Sequence, residues 1–115
     1  MFELEGLEVL FYTLPVDMRC SIDGLSIIVS ERLNLDPTKG ALYVFFNKSQ
    51  DKLKILYWQR NGFCLWYKRL EKERFKVPLS RGVLTLTFQQ LRWLLDGLDY
   101  TRIQGHKPLS YKEFF

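Results

Sequence analysis

Residues 52–70 read Lys52-Leu-Lys-Ile-Leu-Tyr-Trp-Gln-Arg-Asn-Gly-Phe-Cys-Leu-Trp-Tyr-Lys-Arg-Leu70. Two aromatic-rich, β-prone runs flank Asn61-Gly62, the strongest turn signal in the chain, so the stretch predicts a β-hairpin. Two registers compete. A two-residue loop pairs Arg60 with Phe63, sets Tyr57 opposite Trp66 and Ile55 opposite Lys68, and mixes apolar with basic residues on both faces. A three-residue loop with Gly62 as its bulge pairs Gln59 with Phe63. Leu53, Ile55, Tyr57, Leu65 and Tyr67 then share one face. Lys52, Lys54, Leu56, Trp58, Cys64, Trp66 and Lys68 share the other. A clean division of core from surface is what fixes register in a half-buried sheet, so the second register is expected.

That register sets Lys54 opposite Lys68, and like charges directly across a strand pair repel. A bound phosphate would relieve the repulsion. Trp58 and Trp66 beside them could stack on bases, or pack beneath a helix. With Arg60 at the hairpin tip and Arg69 at the strand edge, the candidate nucleic-acid contacts are Lys52, Lys54, Trp58, Arg60, Trp66, Lys68 and Arg69.

The charge pattern agrees. Residues 1–38 hold two bases and seven acids, a net of −5; residues 39–81 hold eleven bases and three acids, a net of +8. The remaining residues carry +1, and the chain as a whole +4. Charge segregated in this way creates a directional field and makes an anionic partner the natural expectation, without saying which one.

Outside the hairpin, Leu7 to Leu14 reads as a strand ended by Pro15. Asp17 suits the N-cap of a helix from Met18 to about Leu33, where Ile22, Leu25, Ile28 or Val29, and Leu33 recur at helical spacing. Gly24 inside that helix suggests that another backbone packs closely against it. Cys20 falls on this helix and Cys64 on a strand; two thiols without a CxxC pair are expected to stay free. Ala41–Asn47, Lys52–Trp58 and Phe63–Leu70 read as strands with short links, and Arg74–Val77 as a further piece before Pro78. Val83–Leu86 is a short strand or lead-in. Thr87 and Gln90 form a capping box for a helix carrying Phe88, Leu91, Leu94, Leu95 and Leu98, with Gly97 as its stop. The expected fold class is α+β: an antiparallel β-meander of about four to five strands, with one helix in the N-terminal half and one near the C-terminus. The length of 115 residues predicts a single domain over 1–115, with 101–115 a loosely held tail.

Sites of chemistry find little support. Asp17, Asp23, Glu31 and Asp36 have simpler uses as a cap, turn residues and a solvated helix face than as metal ligands, and His106 sits alone in a turn. No Ser or Cys has a partner base, and there is no Gly-rich phosphate loop. Neither a cofactor nor a catalytic metal is expected, and the chain reads as a non-enzyme. No apolar run reaches the roughly 20 residues of a membrane span, and the acidic start Met-Phe-Glu-Leu-Glu is unlike a signal peptide, so a cytoplasmic location is the default.

Four stretches taken together carry a family resemblance. They are Pro15-Val-Asp-Met-Arg-Cys-Ser-Ile-Asp-Gly-Leu, Leu35-Asp-Pro-Thr-Lys-Gly-Ala-Leu-Tyr-Val-Phe, Leu53-Lys-Ile-Leu-Tyr-Trp and Gly62-Phe-Cys-Leu-Trp-Tyr-Lys-Arg-Leu-Glu-Lys. In this order they resemble the TnpB accessory proteins encoded by insertion sequences of the IS-sixty-six type, over roughly residues 7 to 100. The RNA-guided nuclease that shares the name is far longer and carries a carboxylate triad that this chain lacks. The resemblance implies a bacterial mobile-element protein that assists transposition without being the transposase. It marks Asp17, Arg19, Asp23 and Gly24 as one motif of unknown role, and Tyr57, Trp58, Gly62, Phe63, Tyr67, Lys68, Arg69 and Leu70 as another. The family pattern has a Gly where this chain has Glu73, and an acid where it has Arg60. The leading expectation is a DNA-binding accessory; the alternative is an adaptor that docks on the separate transposase.

Overall fold

The computed structural model describes residues 6–78, 80–98, 111 and 112. The tail expected over 101–115 and the turn around His106 lie outside them, apart from Tyr111 and Lys112. In chain order the elements are β1 (Glu8–Tyr12), α1 (Ile22–Ile27), β2 (Ala41–Phe46), β3 (Lys52–Gln59), β4 (Gly62–Arg69), β5 (Val83–Leu86), α2 (Phe88–Leu95) and β6 (Tyr111–Lys112). A π-helical turn over Ile28–Arg32 extends α1. The strands form one sheet in the order β4-β3-β2-β1-β5-β6. The α+β class holds, with a mostly antiparallel sheet and two helices.

One pairing departs from an antiparallel meander. β1 and β2 run parallel, with Val9 beside Leu42 and Phe11 beside Val44. A parallel pair needs a crossover of a dozen or more residues, and the segment 13–40 that contains α1 supplies it. Both strands are buried along nearly their whole length. Their sequences show it: Val9-Leu-Phe-Tyr and Ala41-Leu-Tyr-Val-Phe-Phe are continuous apolar runs, as strands covered on both faces require.

Alternation sends these side chains to two cores. Val9, Phe11, Leu42, Val44, Phe46, Leu53 and Ile55 meet Leu91, Leu94 and Leu95 of α2. Leu10, Tyr12, Ala41, Tyr43, Phe45 and Leu56 meet Leu25 and Val29 on the other face. The helices thus cover opposite sides of the sheet.

This double cover corrects the expected hairpin register. Gln59 lies opposite Gly62, Trp58 opposite Phe63, Leu56 opposite Leu65, Ile55 opposite Trp66, Lys54 opposite Tyr67 and Leu53 opposite Lys68. The loop is Arg60-Asn61, and Arg60 takes the positive φ, 61°. Neither expected register occurs. The choice between them assumed one buried face and one wet face. With a helix on each side, both faces need apolar groups: Leu53, Ile55, Tyr57 and Trp66 serve the α2 side, while Leu56, Phe63 and Leu65 serve the α1 side. Leu65 and Tyr67 therefore do not share the face of Leu53, and Lys54 and Lys68 are on opposite faces.

The helix ends divide into one match and one correction. Thr87 and Gln90 close the capping box, with the Gln90 amide donating to Thr87 Oγ1 at 3.0 Å and the Thr87 amide to Gln90 Oε1 at 2.8 Å. At the far end Gly97 has φ +79°. Its amide donates to the Leu94 carbonyl, and that of Leu98 to the Trp93 carbonyl, the Schellman pattern.

α1, in contrast, begins at Ile22 with Ser21 as N-cap, so Asp17 caps no helix and Cys20 precedes it. Asp17 closes a turn instead: its carboxylate accepts from the Arg19 amide and its carbonyl from the Cys20 amide. Gly24 faces the Cys20 side chain rather than another backbone; a Cβ there would meet Cys20 Cβ and Sγ at 3.3 Å. Arg74–Val77 forms no strand. That segment is pinned by Phe75, which is buried and donates its amide to the Gln50 carbonyl at 2.7 Å.

Candidate nucleic-acid interface

The strand order determines where the cations gather. β2 ends and β3 begins at the same edge of the sheet, around the turn Asn47–Asp51. β4 returns to that edge, with Arg69 opposite Lys52. β1 also ends there, because it is parallel to β2, and β5 starts there, with Val83 opposite Tyr12. The turn, the segment after β4 and the approach to β5 therefore converge. They carry Lys48, Lys52, Arg69, Lys72, Arg74, Lys76 and Arg81 against Asp51, Glu71 and Glu73.

Two of the cations hold acids. Lys52 pairs with Asp51 at 3.3 Å and Arg69 with Glu71 at 2.9 Å. Asp51 is also gripped by the Asn47 side-chain amide at 2.7 Å, and these bonds hold its carboxyl below the usual range, the Asn47 bond contributing most. Lys48, Lys72, Arg74 and Lys76 are exposed, with no acid paired to them among the described residues.

The seven candidate contacts are dispersed over the hairpin. Lys52 and Arg69 belong to the basic end. Arg60 lies at the opposite end of the hairpin, about 23 Å of strand away. Trp58 packs edge-on against Phe63, 4.9 Å between ring centroids, and its Nε1 donates to the Arg60 carbonyl. Trp66 is half-buried against the α2-side core.

Lys54 and Lys68 serve the fold. Lys54 is only 9% exposed; its ammonium donates to the carbonyls of Met18 at 2.7 Å and Cys20 at 2.8 Å and lies 5.4 Å from the Tyr67 ring centroid. Lys68 donates to the carbonyl of Leu95, the last residue of α2, at 2.8 Å. A cation on a helix's C-terminal carbonyl also complements the helix dipole. Each lysine ties the hairpin to a segment on one side of the sheet.

Sequence reasoning missed Lys48, Lys72, Arg74, Lys76 and Arg81 because it looked along strand faces. The available signal was connectivity: each of these residues sits in a link, four of them in the single basic link between β4 and β5.

The motif residues Asp17 and Arg19 form a bidentate pair, with Arg19 Nη2 2.6 Å from Asp17 Oδ2. Asp23 is exposed and its backbone carbonyl accepts from Ser26. The Arg19 guanidinium, and then its amide, hold the Asp17 carboxyl down to about 2 from an ordinary 3.8. A lowered carboxyl pKa means that the pairing is present above about pH 4 and is lost as pH falls toward about 2. Carboxyl NMR titration should place the Asp17 midpoint near that lower value, and Arg19→Gln should raise it. A parent midpoint at the ordinary value would contradict the pair.

No group of three His, Cys, Asp or Glu among the described residues could hold a metal. No helix among them is long and apolar enough to cross a membrane.

Comparison with known proteins adds context. The family described as "IS66 Orf2 like protein" matches over residues 7–105. Two relatives come from Sinorhizobium fredii (strain NBRC 101917 / NGR234). Uncharacterized protein y4jC is 36% identical over 106 residues, covering 91% of this chain and 90% of the relative. Uncharacterized protein y4hO is 38% identical over 89 residues, covering 76% and 77%. No solved structure matches the chain.

Proposed function

Because the chain belongs to the IS66 Orf2 like family, whose members are accessory proteins of insertion sequences, we propose that it acts in transposition without catalysing it, by binding DNA through the basic end of its sheet. One observation carries this reading. Two links and the strand ends beside them bring together seven bases and three acids at one end of the sheet, and four of those bases have no acid partner among the described residues. Such an array suits a phosphate backbone, whose contacts release counterions and fix position without reading sequence. Lys52 and Arg69 stay in the proposed contact set; Lys54 and Lys68 leave it, since their ammonium groups are occupied by backbone carbonyls.

The test is a titration of duplex DNA at several salt concentrations. The parent should bind with steep salt dependence. The triple variant Lys72→Gln, Arg74→Gln, Lys76→Gln should bind all sequences more weakly and flatten the log–log salt slope by about three units. A parent that binds no duplex at moderate salt, or a folded triple variant that binds as the parent does, removes DNA as the partner.

A second reading rests on β4. It is an edge strand of eight residues, and Tyr67 on it is 49% exposed. An open backbone edge with an aromatic anchor suits docking on another protein, here the element's own transposase. That reading predicts a stable complex with the transposase in the absence of DNA, abolished by Tyr67→Ala.

A further inference from the structure

A cleft of about 410 Å³ opens at the basic end, outside the carboxyl ends of the parallel pair β1 and β2. In open sheets with a parallel pair, this is where ligands commonly settle, because the chain departs from the two strand ends in different directions and leaves a crevice. Here β1 leads into the α1 crossover and β2 into a tight turn, and the approach to β5 closes the third side.

The lining is of two kinds. Lys48 and Arg81 supply long cationic side chains with Gln50 beside them, and no acid among the described residues contributes to the wall. Pro15 and Val77 supply an accessible apolar surface, with the buried Phe46 and Pro78 behind them. A cavity of this size, mostly apolar with a few convergent polar groups, fits a small ligand rather than a bare ion. A ligand with one anionic end and one flat, weakly polar end satisfies both parts of the lining.

From this arrangement we propose that the cleft binds a single nucleotide unit, its phosphate on Lys48 and Arg81 and its base against the Pro15–Val77 wall. The proposal rests on the reading that the basic end meets nucleic acid, and it adds a preference. A base inside a duplex is paired and stacked and cannot reach the wall without being extruded, whereas an unpaired strand offers both phosphate and base. The ligand is therefore a nucleotide of single-stranded DNA, or a free nucleotide of the same chemistry.

The experiment follows backbone amide resonances during titration with thymidine monophosphate, thymidine, inorganic phosphate, an eight-residue oligothymidylate and a duplex. Thymidine monophosphate should shift the amides of Thr13, Lys48, Gln50 and Arg81, with thymidine and phosphate each binding more weakly. The oligothymidylate should shift the same amides and compete with the mononucleotide. Lys48→Gln with Arg81→Gln should weaken both at least tenfold, and Lys48→Gln alone severalfold if the double variant fails to fold. Oligothymidylate that does not compete would assign the cleft to a free nucleotide and remove DNA as the source. Phosphate shifting these amides as strongly as the mononucleotide, or a double variant that binds as the parent does, overturns the proposal. Failure of the broader DNA reading appears separately, as loss of duplex binding by the parent; the triple variant at residues 72, 74 and 76 leaves the cleft lining intact.

Discussion

Phe75→Ala is expected to lower stability by about 3–5 kcal/mol, the range for truncating a fully buried phenylalanine. Phe75 is 1% exposed and packs in the α2-side core, yet it belongs to no strand or helix. It is the anchor of the link that carries Lys72, Arg74 and Lys76. Its loss leaves a cavity under the sheet edge and removes the grip that aligns its amide with the Gln50 carbonyl. Urea unfolding monitored by tryptophan fluorescence measures the loss. A cost below about 1 kcal/mol, the size of an ordinary single substitution, would show that the side chain is not an anchor.

Lys54→Met comes next, at about 2 kcal/mol. Methionine keeps an unbranched apolar stem but donates nothing, so the carbonyls of Met18 and Cys20 both lose the bonds that a charged donor now makes. Leaving partly buried acceptors unmade costs more than the bonds contribute net. Lys52→Met on the same face is the control; it removes only the half-buried pair with Asp51 and should cost about 1 kcal/mol or less. Hydrogen exchange should also rise in Lys54→Met over the segment leading into α1. Equal stability of the two variants would remove the clamp from the account of the fold.

Much of the fold was legible because it rests on local chemistry. Thr87, Gln90 and Gly97 announce both ends of α2, and Val83–Leu86 occurs with the bounds read from sequence. The parallel pairing was also present in the sequence, in the unbroken apolar runs of β1 and β2, which a sheet with one wet face would not contain. The register failed for the same reason: the sorting rule that chose it holds only when one face is exposed. Lys54 and Lys68 were misread with it. On a strand, lysine reads as surface, and only the tertiary fold reveals a carbonyl at the end of its stem. The basic segment 39–81 was legible as such, but the basic end was not, because its members sit in links, Lys48 in one and Lys72, Arg74, Lys76 and Arg81 in another, and the topology brings those links together.

The central position of β1 also governs how the chain folds as it is made. β1 is synthesised first, yet it is flanked by β2 and by β5, whose partner residues for Val9 are Leu42 and Leu86. At roughly 5–20 residues per second, one side of Val9-Leu-Phe-Tyr waits several seconds for its last partner to emerge from the ribosome. The hairpin β3–β4 closes within microseconds once it is made, so the nascent chain passes through a stage with a finished hairpin and an exposed, apolar strand edge. Ribosome-bound chains stopped before Val83 should engage ribosome-associated chaperones and aggregate on release, whereas chains that include α2 should not.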